Sequence, residues 1–259
     1  MNKSDTKPRI RIGVSSCLLG QAVRYDGEHK RDAYINDVLA DYFEFVSVCP
    51  EVAIGLGTPR EPIRLVGDPA NPRAVGVRSN DLDVTGKLER YARKQADSLK
   101  DLSGYILKRG SPSCGMQRVK VYGAKGQPTK KGQGIFAREF IARYPQLPVE
   151  EEGHLGDSVL RENFIQRVFI YHDWQQLKRR RLSVKRLVAF HTRLKYLLMA
   201  HSQAAYKRLG QIVARAGNGD LSALAHAYEV EMMAALKRRA TREQHANVLQ
   251  HLSGYLKKN

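Results

Sequence analysis

Hydrophobic positions in the first 150 residues switch between strand-like and helix-like spacing. Strand-like runs occur at residues 10–14, 45–48, 104–107 and 119–122. Helix-like spacing occurs at residues 33–42, 86–99 and 135–144. Because strands that alternate with helices typically form a parallel sheet covered by helices, we expect an α/β, Rossmann-like domain with a mostly parallel sheet over residues 1–150.

The pattern changes after Pro145, Pro148 and the acidic segment 150–153, which together predict a linker. Beyond the linker only helical spacing occurs, and it predicts an all-α domain of five helices over residues 158–259.

Two signals mark helix ends in this second domain. Ser183 is a candidate N-cap for the second helix, while Thr241 and Gln244 match a capping box that opens the fifth. We expect the second helix to run on through Leu194 without a break. The positions expected to be buried in the fifth helix are Val248, Leu249, Leu252 and Leu256.

Composition is typical of a globular protein and not of a membrane or secreted one. Hydrophobic residues make up 42% and charged residues 27% of the 259 residues. The longest apolar stretch, residues 184–199, is interrupted by Lys185, Arg186 and Lys195, whereas a membrane helix needs about 20 apolar residues. The first residues contain no apolar signal-peptide core, so we expect a cytoplasmic protein.

Positive charge is concentrated in the last third of the chain. The net charge is +18, and Lys and Arg outnumber Asp and Glu by 25 to 20 in residues 1–158 but by 19 to 6 in residues 159–259. The densest basic segment contains Lys178, Arg179, Arg180, Arg181, Lys185 and Arg186. Such a load is typical of nucleic-acid binding, so we expect these side chains to contact RNA phosphates, although a solvated face would look the same. Tyr171 and Trp174 could stack on bases, but core packing is the favoured interpretation.

The three cysteines each follow a predicted strand. Cys17, Cys49 and Cys114 come after the first, second and third strands, in loops rich in Ser, Pro and Gly. Loops at the carboxyl ends of parallel strands meet at one edge of a sheet. We therefore favour one shared site over three separate buried thiols. An odd cysteine count without a secretion signal argues against a disulfide framework.

Thiolates bind both zinc and iron–sulfur clusters. A structural zinc site needs four ligands and usually shows cysteine pairs two to four residues apart, and no such pair or convincing fourth histidine occurs. A [4Fe–4S] cluster held by three thiolates would leave one iron open to a soft atom such as sulfur. The cysteine pattern therefore favours an iron–sulfur cluster.

The loops around the cysteines resemble the thiouracil desulfidases (TudS-like). The matching segments are Val14-Ser15-Ser16-Cys17-Leu18-Leu19-Gly20, Val23-Arg24-Tyr25-Asp26-Gly27, Val48-Cys49-Pro50-Glu51, Gly55-Leu56-Gly57-Thr58-Pro59-Arg60 and Ser111-Pro112-Ser113-Cys114-Gly115. The resemblance covers roughly residues 9–148. It implies a [4Fe–4S] cluster with three cysteine ligands and one open iron, and release of sulfur from a thiolated uracil.

The second domain resembles a helical domain often fused to those enzymes. The matching segments are Arg161-Glu162-Asn163-Phe164-Ile165, Phe190-His191-Thr192-Arg193-Leu194-Lys195-Tyr196 and Asn247-Val248-Leu249-Gln250-His251-Leu252-Ser253-Gly254-Tyr255. The two-domain arrangement is similar to the tRNA 4-thiouridine desulfidases (RudS-like). That resemblance implies thiolated tRNA as a partner, beside small thiobases.

Hydrolysis of a C–S bond needs a base that accepts a proton from water. Glu51 follows a cysteine by two residues and is the candidate base, with a plain ion pair to Arg60 as the alternative. Ser113 is a second catalytic candidate, and a turn-stabilising role is equally open. The candidates for substrate binding are Ser16, Arg24 and Arg60. Either arginine could instead form a salt bridge.

Two other functions share these features. A tRNA thiolase would need ATP, and the chain has neither a Gly-x-x-x-x-Gly-Lys-[Ser/Thr] loop nor a Ser-Gly-Gly-x-Asp-Ser loop, so we expect no ATP site. A non-catalytic iron–sulfur protein that binds RNA or senses redox state is the alternative outside the enzymes. Glu51 separates the two classes, because its removal should abolish turnover and spare the cluster only in an enzyme.

Overall fold

The structure is a computed structural model that describes residues 9–79 and 81–256, without the side chains of Ala96, Tyr255 and Leu256. The chain divides into two compact units between Ser158 and Val159. The first unit is α/β and the second is all-α, which confirms the predicted fold class. None of the described helices combines the length and hydrophobicity that a membrane span requires.

The strands of the first unit belong to two sheets. They are β1 (Ile10–Ser15), β2 (Phe43–Val48), β3 (Ile63–Val66), β4 (Arg73–Gly76), β5 (Gly104–Leu107), β6 (Val119–Tyr122), β7 (Pro128–Gly132) and β8 (Val149–Glu151). One sheet is wholly parallel, in the order β2-β1-β5-β8. All four residues of β5 are buried, as expected for a central strand covered on both faces.

The prediction of a linker is wrong for the residues that form β8. Val149–Glu151 pairs in parallel with β5 at the edge of the sheet. Glu150 and Glu151 are buried because their carboxylates are hydrogen-bonded. Oε1 of Glu150 lies 2.6 Å from Nδ1 of His154, and Oε1 of Glu151 accepts a 2.8 Å bond from the backbone N–H of Met116. An acidic segment beside prolines suggested solvent exposure, but these partners allow burial.

The second sheet, in the order β4-β3-β6-β7, is mixed, and only β6 was predicted. Its edge strand β7 reads Pro-Thr-Lys-Lys-Gly and has no apolar alternation that could predict a strand. Beneath the sheet, Leu65, Val121 and Ile135 belong to one hydrophobic cluster. Because the cluster includes Val121 of β6, it supports the chain that follows the Cys114 loop.

The α-helices of the first unit are α1 (Ala33–Asp37), α2 (Pro50–Ala53), α3 (Thr85–Ser98) and α4 (Ile135–Arg143). The helix expected over residues 33–42 is broken, because α1 ends at Asp37 and a 3₁₀ turn follows at Leu39–Asp41. Helix α4 packs Phe136 and Phe140 against Tyr105 of β5, with ring centroids 6.1 and 5.1 Å from the tyrosine ring.

The α-helices of the second unit continue the numbering. They are α5 (Ser158–Arg179), α6 (Val184–Arg193), α7 (Lys195–His201), α8 (Gln203–Ala214), α9 (Leu221–Lys237) and α10 (Arg242–Leu256). The Ser183 cap is confirmed, because its side chain accepts a bond from the N–H of Arg186. The prediction of one continuous second helix is wrong, because the helix is interrupted at Leu194, between α6 and α7.

Helix α10 has the predicted start but not the predicted burial. Thr241 and Gln244 exchange both bonds of a capping box, at 2.9 and 3.3 Å. Leu249 is 65% exposed and Val248 and Leu252 are only half-buried, so the expectation of a buried face is wrong at Leu249. The expectation for Leu256 lies outside the described side chains.

Candidate functional site

All three cysteines line one cavity of about 220 Å³ at the carboxyl ends of β1, β2 and β5. Cys17 stands in a 3₁₀ turn directly after β1, and Cys49 is the N-cap of α2 directly after β2. Cys114 lies in the loop between β5 and β6. The strand ends therefore bring together three residues that are far apart in sequence.

Backbone hydrogen bonds hold each cysteine loop in place. The carbonyl of Cys17 accepts a 2.9 Å bond from the N–H of Lys30, and the carbonyl of Cys49 accepts a 3.0 Å bond from the N–H of Ala53. Oγ of Ser111 accepts a 3.0 Å bond from the N–H of Cys114. These hydrogen bonds fix the conformation of each loop around its cysteine.

Gly134 allows the Cys114 loop to pack closely against the start of α4. Its N–H donates to the carbonyl of Gly115 at 2.8 Å. A Cβ atom at this position would lie 2.5 Å from the carbonyl oxygen of Ser113. Since such a contact is prohibitive, only glycine fits between the helix and the cysteine loop.

Burial raises the pKa of all three thiols. The pKa of Cys17 rises to about 11, with the positive charge of Lys108 acting in the opposite direction. The pKa of Cys49 is raised by burial, and that of the wholly buried Cys114 is raised well above its usual value. Because metal binding requires thiolates, a cationic group must compensate the cost of their charge. The described residues contain no set of three or more His, Cys, Asp or Glu arranged around one metal ion. Three soft sulfur donors around one cavity fit a cluster better, because each thiolate then binds a different iron.

Glu51 is held by two partners at the wall of this cavity. Its Oε2 accepts bonds from Nε and Nη2 of Arg60, at 3.0 and 2.7 Å. Its Oε1 accepts a 2.8 Å bond from the hydroxyl of Ser113. Arg60 is in turn fixed by 2.9 Å bonds from Nη1 to the carbonyls of Val23 and Gly57. The side chains of Arg60 and Glu51 are only 6% and 14% exposed, so this carboxylate has a nearly fixed orientation.

The remaining candidates of the first unit lie in or directly behind the cavity. Ser16, Arg24 and Arg60 line it, whereas Ser113 is fully buried behind Glu51. Arg24 forms an ion pair with Asp26 at 3.0 Å, the alternative noted for it above. Arg60 donates hydrogen bonds to Glu51, Val23 and Gly57, and its role as a substrate contact stays a prediction.

The sequence reasoning missed several cavity residues, and three of them are polar groups at strand ends. Lys108 and Arg109 line the cavity directly after β5, and Ser15 lines it at the end of β1. Oγ of Ser15 accepts a 3.0 Å bond from the N–H of Lys108, and Nζ of Lys108 pairs with Glu152. The signal was available, because the rule that located the cysteines applies equally to polar residues that follow a strand.

The six basic candidates of the second unit form an exposed group, which we call the basic surface. Its members are Lys178, Arg179, Arg180, Arg181, Lys185 and Arg186. Lys178 pairs with Glu229 at 2.8 Å, and Arg186 donates to the carbonyls of Arg180 and Arg181. Tyr171 and Trp174 are buried, which supports core packing for both. The indole of Trp174 packs 5.3 Å from the rings of Tyr228 and Phe190.

Comparison with known proteins identifies the first unit. The family model of 2-thiouracil desulfurase matches residues 12–152, more than half of the chain. The chain belongs to the 2-thiouracil desulfurase family. The model of a family of unknown function, DUF1722, matches residues 195–259 in the helical unit. The resemblance stated for the cysteine loops is therefore confirmed, and the helical unit corresponds to a second, separately recognised family.

Two curated proteins and one solved structure are similar to parts of the chain. The uncharacterized protein YbbK of Bacillus subtilis is 40% identical over 110 residues, which cover 40% of this chain and 72% of YbbK. The uncharacterized protein YbgA of Escherichia coli is 33% identical over 92 residues, and the match spans 35% of this chain but only 54% of YbgA. A solved structure described as the [4Fe-4S]-dependent thiouracil desulfidase TudS is 32% identical, with a TM-score of 0.45, and covers 57% of this chain and 95% of its own.

Proposed function

We propose that this desulfurase removes sulfur hydrolytically from 4-thiouridine in tRNA and from free 4-thiouracil, with a [4Fe–4S] cluster bound by Cys17, Cys49 and Cys114. The observation that carries the proposal is the convergence of three thiols on one cavity whose wall holds a clamped carboxylate, Glu51. Overall, the thiocarbonyl and one water become a carbonyl and hydrogen sulfide.

The three cysteines would supply three ligands and leave one iron without a protein ligand. When bound, such a cluster supplies a Lewis acid that attracts the thiocarbonyl sulfur and makes the ring carbon electrophilic. The protein contributes the position of that group, because the thiols lie on loops fixed by backbone bonds at three strand ends.

Glu51 would accept the proton of the attacking water. Its two oxygens are already oriented by Arg60 and Ser113, so little rearrangement is needed when water approaches. If Oε1 takes the proton, the hydroxyl of Ser113 can rotate and accept a bond from the new O–H. Arg60 then keeps Oε2 in place through its two bonds.

The helical unit would supply affinity for tRNA. Residues 159–259 carry 19 basic and 6 acidic residues, and the six residues of the basic surface are exposed. Exposed cations bind phosphates through counterion release, without sequence preference. A small free thiobase offers no such phosphates, so the first unit alone should govern its turnover.

Anaerobic reconstitution with iron and sulfide, followed by incubation with 4-thiouracil or thiolated tRNA, tests the proposal. Free sulfide and the corresponding uracil or uridine product should form in equal amounts from each substrate. Protein without reconstitution serves as the control and should release neither. Reconstituted protein that carries a full cluster but releases no sulfide from either substrate would disprove the proposed reaction.

A further inference from the structure

Ser15 is a buried hydroxyl at the centre of the strand ends that carry the cysteines. It is the last residue of β1, is 2% exposed and lines the cysteine cavity. In the parallel sheet it pairs with Val48, the residue before Cys49, and it precedes Cys17 by two positions. No step of the proposed reaction uses this side chain.

The chain that follows β5 fixes the oxygen of Ser15. Its Oγ accepts a 3.0 Å bond from the backbone N–H of Lys108, the residue directly after β5. A serine hydroxyl that accepts one bond still has its own hydrogen to donate. Because Ser15 is almost wholly buried, that hydrogen needs an acceptor inside the protein.

Cys114 supplies the acceptor. It is 6% exposed and lines the same cavity as Ser15. Burial raises the pKa of the Cys114 thiol well above its usual value, and a hydrogen bond from the side chain of Ser15 acts in the opposite direction. The charges of Cys49, Glu51 and Cys17 raise this pKa further. The hydroxyl of Ser15 therefore favours the Cys114 thiolate against both burial and like charge.

The other two thiols are favoured as thiolates by different groups. Burial raises the pKa of Cys49, and backbone N–H groups of the residues that follow it act against burial. At Cys17 the positive charge of Lys108 has this effect. At Cys114 the described residues offer the hydroxyl of Ser15 in place of such a charge or N–H. Replacing this one side chain should therefore change the electron density of one thiolate and leave the other two as they are.

We infer that Ser15 is a positioning residue of this desulfurase, whose hydroxyl donates a hydrogen bond to the Cys114 thiolate and so limits the electron density that this ligand gives to the cluster. The inference rests on the proposed function, in which Cys114 binds one iron. Hydrogen bonds to the sulfurs help to set the electronic properties of iron–sulfur clusters. A thiolate that shares its charge with a hydroxyl donates less to iron, so the thiocarbonyl sulfur would meet a more electron-poor Lewis acid.

The midpoint reduction potential of the reconstituted full-length protein, measured without substrate, tests the inference. A reduced cluster carries one more negative charge, which a hydrogen-bond donor stabilises. Ser15→Ala should therefore shift the potential to more negative values. It should also lower the turnover of 4-thiouracil about tenfold, a loss typical when a metal ligand loses its hydrogen-bond partner. Ser15→Thr retains the hydroxyl and should restore both the potential and the turnover.

The sign of the shift separates this role from a purely structural one. Without Oγ of Ser15, the N–H of Lys108 also loses its acceptor, and a loosened loop would admit water. Water stabilises the additional negative charge, so loosening would shift the potential to more positive values. Ser103→Ala is the matched control, because Ser103 is also 2% exposed but lies directly before β5, at the opposite end of that strand from the cysteine loops.

The results that would overturn the inference are an unchanged or more positive potential in Ser15→Ala, an equal shift in Ser103→Ala, or a Ser15→Thr variant that does not restore the potential. If Ser15→Ala binds no iron, recovery of iron binding and of the potential in Ser15→Thr supports the inference, and a Ser15→Thr variant without iron overturns it.

The same measurements separate the inference from the proposed reaction. Wild-type protein whose cluster shows the expected difference in potential from Ser15→Ala, but which releases no sulfide, would refute the reaction alone. Normal sulfide release with identical potentials in the wild type and Ser15→Ala would refute the role of Ser15 alone.

Discussion

The cysteine cavity and the basic surface hold charge in opposite ways. In the cavity, Arg60 is 6% exposed and the two oxygens of Glu51 are each fixed by a partner. On the basic surface, the arginines are exposed to solvent. Charges withdrawn from water interact strongly and depend on precise geometry, whereas exposed charges act collectively and are screened by salt. Substitutions in the cavity should therefore abolish the reaction, and those on the surface should change affinity by degrees.

Loss of a cysteine should have the largest effect. Cys17→Ala, Cys49→Ala and Cys114→Ala should each lose cluster absorbance and fall to background turnover on both 4-thiouracil and tRNA, because each removes one ligand of the cluster. Iron content and sulfide release after anaerobic reconstitution are the measurements. Ser98→Ala, on the exposed face of α3, is the control. Full iron loading with normal turnover in any cysteine variant would remove that cysteine from the proposed ligand set.

Glu51→Gln should come next, with turnover lowered about 10²–10⁴-fold on both substrates, because an amide cannot accept the proton of water. Cluster absorbance should stay at the wild-type level. Glu44→Gln, which also disrupts an ion pair but an exposed one with Arg11, should keep normal activity. If Glu51→Gln reacts at the wild-type rate, Glu51 serves only as the partner of Arg60.

Changes on the basic surface should affect one substrate and depend on salt. Substituting Arg179, Arg180 and Arg181 by Gln should weaken tRNA binding, reduce the slope of log affinity against log salt by about 2, and leave 4-thiouracil turnover intact. Binding and turnover at two salt concentrations measure this. The control replaces Lys207, Arg215 and Lys237, three exposed cations elsewhere in the unit. Equal losses in both triple variants would mean that the whole unit attracts tRNA diffusely.

The smallest expected effect is a pH dependence of the stability of the helical unit. Burial lowers the pKa of His191 and, aided by the charges of His245 and Arg167, that of His201. Their folded pKa values lie below the unfolded value of about 6.5, so the unfolded chain takes up protons first as pH falls. Stability of this unit should therefore be constant above neutral pH and decrease below about pH 6.5.

Trp174, the single tryptophan, is buried in the helical unit and reports its unfolding by fluorescence. Urea unfolding of the full chain at pH 7.5 and 5.5 should show a smaller loss of stability in His191→Gln/His201→Gln than in the wild type. If the double variant and the wild type lose the same stability between pH 7.5 and 5.5, other titrating groups cause the effect.

The position of the cysteines was largely predictable, because each cysteine can be placed separately from its own position after a predicted strand. Cys17 and Cys49 come just after strands with a clear apolar pattern. The carboxyl ends of these parallel strands lie at the same edge of the sheet, which brings the two cysteines close together. The clamp on Glu51 was only partly predictable. Its pair with Arg60 spans nine residues and was foreseen as an alternative, but the bond from Ser113 spans 62 residues and depends on loop conformation.

Elements with weak or misleading hydrophobic patterns were not predictable. Strand β7 contains two consecutive lysines and no apolar alternation, so only its pairing with β6 in the structure shows that it is a strand. Helix α10 shows the reverse case, because its spacing is helical but Leu249 remains exposed. Periodicity reports which face is apolar, and burial also requires a neighbouring element to cover that face.

The position of β8 determines where the gene could be cut to produce the catalytic unit alone. A stop after residue 150 would sever the edge strand and discard Glu151, which anchors the N–H of Met116 two residues beyond Cys114. It would also discard Leu155, which is only 1% exposed. A truncated protein intended for expression should therefore end no earlier than Ser158. Shorter versions would lack a strand that supports the Cys114 loop, even though every cysteine is present.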